Sequence, residues 1–227
     1  MSCPIEFFRQ FTIFRDLTDE ELVEISDISH QKSIKKHENI FLEGDRREEV
    51  FFIQSGLVKI YKLSEEGEEQ IISILHSNEM FPHVGFFDDS PYPATAFTLT
   101  DTELLSIPIE AFEEWLIRNP KVTIKVMKVI GEKLLQLQER VQTMTTPDVM
   151  KRVVGTLCSF IHELGEEDRS DGSIHVRVPI TNSEFANLVG VRRETVNRTF
   201  SKLKKEGILS YNRQEIVIHN FAELNRI

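Results

Sequence analysis

The apolar positions change period repeatedly along the chain. Residues 15–29, "RDLTDEELVEISDIS", read as a short helix, with Thr18 as N-cap and Glu21 three residues later completing a capping box. From Gln31 to about Ile107 the pattern becomes a series of short β-rich runs: "NIFLEGD", "EVFFIQSG", "LVKIYKLSEEGE", "EQIISIL", "TAFTLTDT" and "ELLSIP". Gly44, Gly56 and Gly67 punctuate them. Short strands at this spacing predict an all-β sandwich or roll.

After Pro108 a helical period takes over. "IEAFEEWLIRN" is a short amphipathic helix, and Pro120 suits the first turn of the next one. In that next helix Thr123, Met127, Ile130, Leu134, Leu137, Val141 and Met144 recur in alternating steps of four and three. This is a heptad seam. It either packs only on its own domain or pairs with an identical helix. The polar residues Lys125, Lys128, Glu132, Lys133, Gln136, Gln138, Glu139 and Arg140 on the other faces favour the second. Met127, Ile130, Leu134, Leu137, Val141 and Met144 are therefore the expected contacts of a homodimer. "TMTTPD" breaks the helix, with Thr146 as a cap for the following helix and Pro147 at its first position. That helix runs to Leu164, ends at Gly165, and buries Val149, Val153, Val154, Leu157, Ile161 and Leu164. Cys158, beside this face, reads as a small core residue rather than a reactive thiol.

The loop "GEEDRSDGS" and a short strand "IHVRVPI" lead to "TNSEFANLVGVRRETVNRTFSKLKKEG". Thr181 and Glu184 form a second capping box, Phe185, Ala186 and Val189 share a face, and Gly190 can end the helix with positive φ. A second helix starts near Arg192 and turns Val196 and Leu203 inward. Two short helices joined at a glycine turn make a helix-turn-helix. The β-rich runs of "GILSYNRQEIVIHN", turning at Asn212 to Gln214, add a hairpin wing.

Charge sharpens this picture. The 227-residue chain has a formal net charge of −10, yet Arg192 to Lys205 holds six basic residues against Glu194 alone. From Asp148 onward there are 12 Lys/Arg and 11 Asp/Glu, leaving 15 and 26 before it. A basic helix on an acidic protein attracts phosphates. Arg193, Glu194, Asn197 and Arg198 share a face. Arginine reads guanine bidentately, and a carboxylate accepts from cytosine N4. They are the candidate base-reading residues. Thr181, Ser183, Arg192, Thr195, Lys202 and Lys204 are the candidate phosphate contacts.

Other classes of function find less support. No stretch approaches the ~20 apolar residues needed to span a bilayer. "MSCPIEFFRQF" lacks the features of a secretory signal. A cytoplasmic protein without a membrane partner is expected. The two cysteines, Cys3 and Cys158, make neither a disulfide framework nor an iron–sulfur ligand set. Seven scattered histidines show no metal spacing, and no paired catalytic residues or phosphate-cradling glycine loop is evident, so neither a metal nor an enzymatic activity is expected.

On these motifs the chain resembles the cyclic-AMP receptor protein / fumarate-nitrate regulator (Crp/Fnr) family of bacterial transcription factors. "ITNSEFANLVGVRRETVNRTFSKLKKEGIL" is similar to that family's helix-turn-helix, "RETVNR" being its most specific part. "IFLEGDRREEVFFIQSG" is similar to its cyclic-nucleotide-binding β-roll signature, with departures at Phe41 and Arg47. The long heptad helix is similar to its dimerisation helix.

The resemblance implies an α+β chain in three parts. Residues 1–119 form a cyclic-nucleotide-binding-like β-roll sensor, 120–146 a dimerisation helix and hinge, and 147–227 a winged helix-turn-helix. It also implies base reading by Arg193, Glu194 and Arg198 on a palindromic TGTGA-like site, with Asn197 at a position that separates subfamilies. Double-stranded DNA, and RNA polymerase if the protein activates, are the implied partners. The alternative is a ligand-binding module whose helix-turn-helix serves protein interaction.

The resemblance weakens at the effector loop, "FPHVGFFDDSPYPATAF". Nucleotide-binding members carry a Gly-Glu-x-Gly turn and then an Arg-Ser pair for the cyclic phosphate. Here Gly85 is kept, His83 replaces the glutamate, and Pro93 and Ala94 replace Arg and Ser. Proline offers neither a side-chain donor nor an N–H. Cyclic AMP is therefore not expected as the effector, and no cofactor is assigned. His83 or Cys3 as haem ligands is the lesser reading, a structural histidine the preferred one. His83, Gly85, Phe86, Pro93 and Ala94 mark the candidate effector pocket. The alternative is that the aromatic residues there simply fill the roll.

Overall fold

The computed structural model describes residues 5–145, 148–212 and 215–227. They fall into two units, Met1–Lys62 with Ile72–Gln136, and Leu63–Ile71 with Leu137–Ile227.

In the first unit, the chain begins with a four-residue helix α1 (Ile5–Phe8) and a run of turns that bury Phe7, Phe8, Phe11 and Phe14. These rings meet edge to face, Phe7 and Phe11 at 4.9 Å and Phe8 and Phe14 at 5.4 Å between centroids. The periodicity of the sequence did not indicate this aromatic segment, because its rings follow no helical or strand repeat. Helix α2 (Asp19–Asp27) has the expected capping box: Thr18 Oγ1 accepts from the Glu21 N–H at 3.3 Å, and Glu21 Oε2 accepts from the Thr18 N–H at 2.8 Å.

Eight strands follow: β1 (His30–Ile34), β2 (Asn39–Phe41), β3 (Glu49–Ser55), β4 (Val58–Leu63), β5 (Glu69–Leu75), β6 (Met80–Phe81), β7 (Thr95–Thr98) and β8 (Thr102–Pro108). They form two four-stranded sheets, ordered β1-β8-β3-β6 and β2-β7-β4-β5. The run "VFFI" in β3 has four consecutive buried apolar residues because both faces of this inner strand are covered. Val50 and Phe52 join a core with the N-terminal aromatic residues and the helices, while Phe51 and Ile53 join the interior of the roll. Gly56 turns the chain out of β3 with φ +101°, and a Cβ there would sit 2.5 Å from Thr102 Oγ1. Only glycine fits that backbone and that space. Helix α3 (Ile109–Arg118) closes the first core with Phe112, Trp115 and Leu116. Helix α4 (Pro120–Thr145) starts at Pro120 as expected and buries Val122 and Val126 in the same core.

In the second unit, helix α5 (Val149–Leu164) is capped by Asp148, whose side chain accepts from the N–H groups of Met150 and Lys151 at 2.9 and 3.3 Å. This replaces the cap expected at Thr146. Thr146 and Pro147 themselves lie outside the described residues. Gly165 ends α5 in extended backbone, and a Cβ there would meet Ile161 O at 2.3 Å. The expected loop "GEEDRSDGS" is instead a hairpin: β9 (Gly165–Glu167) pairs with β10 (Ile174–Val176). Asp168 and Asp171 accept from the N–H groups of Ser170 and Ser173 in its turn, a local device that hydrophobic patterning cannot reveal.

Helices α6 (Asn182–Val189) and α7 (Arg193–Lys205) come next, then β11 (Leu209–Tyr211), β12 (Ile216–Ile218) and α8 (Phe221–Leu224). The strands form one sheet, β11-β12-β10-β9. A chain of ring contacts joins α5, α6, α7 and the wing: Phe160–Phe185 at 5.7 Å, Phe185–Phe200 at 5.3 Å and Phe200–Tyr211 at 5.3 Å. Cys158 is half-buried, and burial pushes its thiol pKa up, away from a reactive thiolate.

Candidate nucleic-acid interface

Helix α6 begins with the second capping box. The Thr181 N–H donates to Glu184 Oε2 at 2.8 Å, and the Glu184 N–H donates to Thr181 Oγ1 at 3.2 Å. The Thr181 hydroxyl donates to the same carboxylate at 3.0 Å, so this candidate phosphate contact already has its hydroxyl proton engaged. At the other end Gly190 takes φ +71°, and the Val191 N–H reaches back to Ala186 O at 3.0 Å. This left-handed stop turns the chain within two residues and sets α7 across α6.

Helix α7 has two contrasting faces. Val196, Thr199, Phe200 and Leu203 are buried against α5, α6 and the wing. Arg193, Glu194, Arg198, Lys202 and Lys204 are exposed, as is Arg192 at the N-cap. Among the described residues, none of the guanidinium groups of Arg192, Arg193 and Arg198 has an ion-pair partner, although the chain is acidic. Arg192, Arg193, Glu194 and Asn197 line a shallow concavity. Lys202 lies 3.9 Å from Glu206, an exposed contact of little energetic weight. Lys204 stands over the Tyr211 ring at 5.7 Å, which ties it to the wing. Ser183 is exposed and Thr195 half-buried. Asn197 is also half-buried, and its Oδ1 accepts from Asn182 Nδ2 at 2.6 Å. Asn182 was not among the expected site residues. Asn212 holds the wing turn through Glu215, while Arg213 and Gln214 lie outside the described residues.

Nearby, Ser173, His175 and Glu215 line up as a nucleophile, a base and a carboxylate would: Ser173 Oγ to His175 Nε2 is 3.2 Å, and His175 Nδ1 to Glu215 Oε1 is 2.9 Å. Ser173 is buried, however, and its hydroxyl donates to Asp171 at 2.6 Å. A nucleophile needs its proton directed to the base and its oxygen open to substrate. This group braces the wing.

The effector loop does not gather its expected residues around one cavity. Ala94 is buried, whereas the adjacent Pro93 is exposed. Phe86 packs on Phe112 at 5.9 Å, in the first core. Tyr92 stacks on Phe41 at 3.7 Å and bonds Glu49 O, so it fills the roll interior. The decisive side chain is Arg47, which the sequence marked only as a departure. Its guanidinium is 3% exposed, donates to Ser90 O at 2.7 Å and pairs with Asp88 at 3.0 Å. It lies directly under Gly85, where a Cβ would be 1.8 Å from Nη1. Asp88 has a lowered pKa, chiefly from the Ser90 N–H and then from Arg47. His83 is largely buried, its Nε2 has no hydrogen-bond partner among the described residues, and burial, with Lys133 nearby, lowers its pKa to about 4. The loop offers a cyclic phosphate little: the Arg47 guanidinium beside Gly85 is held by the loop's own oxygens, Pro93 has no N–H, and neither Pro93 nor Ala94 has a side-chain donor.

Along α4, Met127, Leu134, Leu137 and Val141 are exposed apolar residues, as are Ile124 and Leu135 outside the heptad pattern. Ile130 is partly buried against the unit's own core, and Thr123 turns inward to donate to Leu116 O at 2.6 Å. The side chain of Met144 lies outside the described residues. The N-terminal half of the seam therefore serves its own unit at two positions and leaves the rest uncovered.

A two-sheet β-roll followed by a winged helix-turn-helix with an exposed basic face is the architecture of a DNA-binding regulator. The cyclic nucleotide-binding domain family model matches residues 31–119, and the Crp-like helix-turn-helix domain model matches residues 152–227. The chain is 31% identical over 207 residues to the anaerobic regulatory protein of Bacillus subtilis (strain 168), covering 90% of this chain and 86% of that one. It is 29% identical over 199 residues to the global nitrogen regulator of Nostoc sp. (strain PCC 7120), covering 86% and 87%. Among solved structures, FixK2 from Bradyrhizobium japonicum superposes with a TM-score of 0.76 at 22% identity, covering 88% of this chain and 96% of that one. The chain belongs to the Crp/Fnr family of transcription regulators. It is a DNA-binding regulator of transcription, and it has the expected α+β fold with an N-terminal cyclic-nucleotide-binding-like β-roll and a C-terminal helix-turn-helix.

Proposed function

We propose that the protein acts in the cytoplasm as a homodimer that reads a palindromic TGTGA-like DNA site. In this proposal residues 1–119 are the sensor domain, 120–146 the dimerisation helix and hinge, and 147–227 the DNA-binding domain. Arg193, Glu194, Asn197 and Arg198 contact base edges. Thr181, Ser183, Arg192, Thr195, Lys202 and Lys204 contact phosphates, Thr181 by turning its hydroxyl proton from Glu184 to the phosphate. RNA polymerase is the further partner if the protein activates.

One observation carries the reading: α7 is fixed by its buried face, while its outer face and N-cap hold the guanidinium groups of Arg192, Arg193 and Arg198, which have no ion-pair partner among the described residues. Cations left unpaired on an acidic protein are suited to phosphates and guanines. Dimerisation is supported by the uncovered apolar stripe of α4. Two recognition helices related by a two-fold axis demand half-sites about one helical turn apart.

The test is fluorescence anisotropy of the full-length protein on a TGTGA-type palindrome and on a scrambled duplex, across a salt series. Tighter binding to the palindrome by at least ~10³-fold, with a steep salt slope, is expected. Equal affinity for both duplexes would reject sequence reading, and no salt-dependent DNA binding at all would favour a helix-turn-helix that binds protein.

A further inference from the structure

We infer that Asn182, at the start of α6, is a positioning residue that sets which base Asn197 selects. The inference rests on the proposed DNA reading and extends it to a residue outside the recognition helix.

The two side chains meet through a single bond, Asn182 Nδ2 to Asn197 Oδ1 at 2.6 Å. Both are half-buried. Among the described residues neither the Asn197 amide nitrogen nor the Asn182 amide oxygen has another hydrogen-bond partner. Asn182 is held in place because it is the first residue of α6, directly after the Thr181–Glu184 capping box. The polarity of the amide pair has a physical cause. The N-terminus of α6 carries partial positive charge, which favours the carbonyl oxygen of Asn197 pointing toward it.

The consequence lies on the other side of Asn197, in the concavity it shares with Arg192, Arg193 and Glu194. A free asparagine reads adenine by accepting from N6 and donating to N7. Here the oxygen is engaged within the protein, and the NH2 group is what remains. Asn197 is thus a donor, best matched to edges that present acceptors with no amino group beside them, the guanine O6 and N7 or the thymine O4; adenine offers only N7 next to its N6 amino group, and cytosine N4 is a mismatch. The polarity of the reading amide is thus set by a residue of α6, outside the recognition helix.

This polarity can be inverted without touching α7. Asn182→Asp replaces the donor with a carboxylate, which accepts from Asn197 Nδ2 and turns Oδ1 outward. An aspartate in the first turn of α6 suits the helix dipole, so the fold is retained. Asn182→Ala removes the restraint.

The experiment is selection of binding sites from a randomised duplex pool by the full-length wild type and by Asn182→Asp, Asn182→Ala and Asn197→Ala. Asn197→Ala identifies the base pair concerned by losing preference there. At that pair the wild type should favour guanine or thymine, Asn182→Asp should shift toward adenine or cytosine by about tenfold, and Asn182→Ala should accept all bases more evenly. Preferences elsewhere in the site should stay the same. An unchanged profile at that pair in both Asn182 variants overturns the inference, as does a uniform loss of affinity without any change of preference. A wild type that selects no sequence at all would reject the DNA reading itself, and with it this extension.

Discussion

At the residue scale, two side chains show how burial decides role. His83 sits in the loop where the resemblance placed an effector contact, but its pKa of about 4 keeps it neutral in the folded protein. The ordinary value is 6.5, so the unfolded chain binds the proton more readily than the fold does. Stability contributed by this site is present above pH 6.5 and is lost as pH falls from 6.5 toward 4. The loss amounts to at most roughly 3 kcal/mol for one group. Chemical denaturation at successive pH values should show His83→Leu flattening that part of the stability curve. An identical slope in the variant would mean the titrating group is elsewhere.

Arg47 makes the opposite case, a charge held inside by loop oxygens. Arg47→Ala should remove its bonds to Ser90 O and Asp88 O, lowering stability by about 2 kcal/mol. Loop 83–94 should then be cut faster by a protease than in the wild type. Neither Arg47 nor Asn182 was legible as an anchor in the sequence. Their partners lie 43 and 15 residues away, and nothing local in "GDRREE" or "ITNSEF" indicates where a side chain ends. Thr18 and Thr181 were legible, because a capping box is complete within four residues.

At the element scale, local chemistry again separates what could be read from what could not. The turn of the helix-turn-helix was visible in Gly190, since a positive φ at a helix end has few alternatives to glycine. The β9–β10 hairpin was not, because its strands are short and polar and its turn is built by Asp168 and Asp171. The aromatic N-terminal segment was missed for want of a period, although Phe8, Phe11 and Phe14 are buried in the core beside β3.

Helix α4 was read as one continuous seam, yet only part of it is uncovered. Leu134, 57% exposed, lies in that part. Leu134→Asp should place a charge in the proposed interface and split the dimer, at a cost of several kcal/mol if buried. Val122 and Val126, which hold α4 to its own core, are untouched by this change, so the subunit fold should remain. Analytical ultracentrifugation should find half the wild-type mass with an unchanged circular dichroism spectrum. A mass equal to the wild type would remove Leu134 from the interface.

At the scale of the whole molecule, the family's architecture is present while its nucleotide contacts are not. The roll interior is occupied by Phe41, Phe51, Phe81 and Tyr92, and the loop is closed by Arg47. Isothermal calorimetry with cyclic AMP should therefore show no micromolar binding. Such binding, abolished by a substitution in loop 83–94, would show that the loop rearranges around a ligand. Within its own unit α7 is positioned by the ring contacts of Phe160, Phe185 and Phe200.

The most direct measurement is the affinity of wild type, Arg198→Ala and Lys202→Ala for the palindrome and for each of its single-base variants. Arg198→Ala should lose ~1–3 kcal/mol per half-site together with the preference at one base pair, while Lys202→Ala should weaken every sequence alike and flatten the salt dependence. If Arg198→Ala kept full discrimination at every position, the outer face of α7 would not be the reading surface.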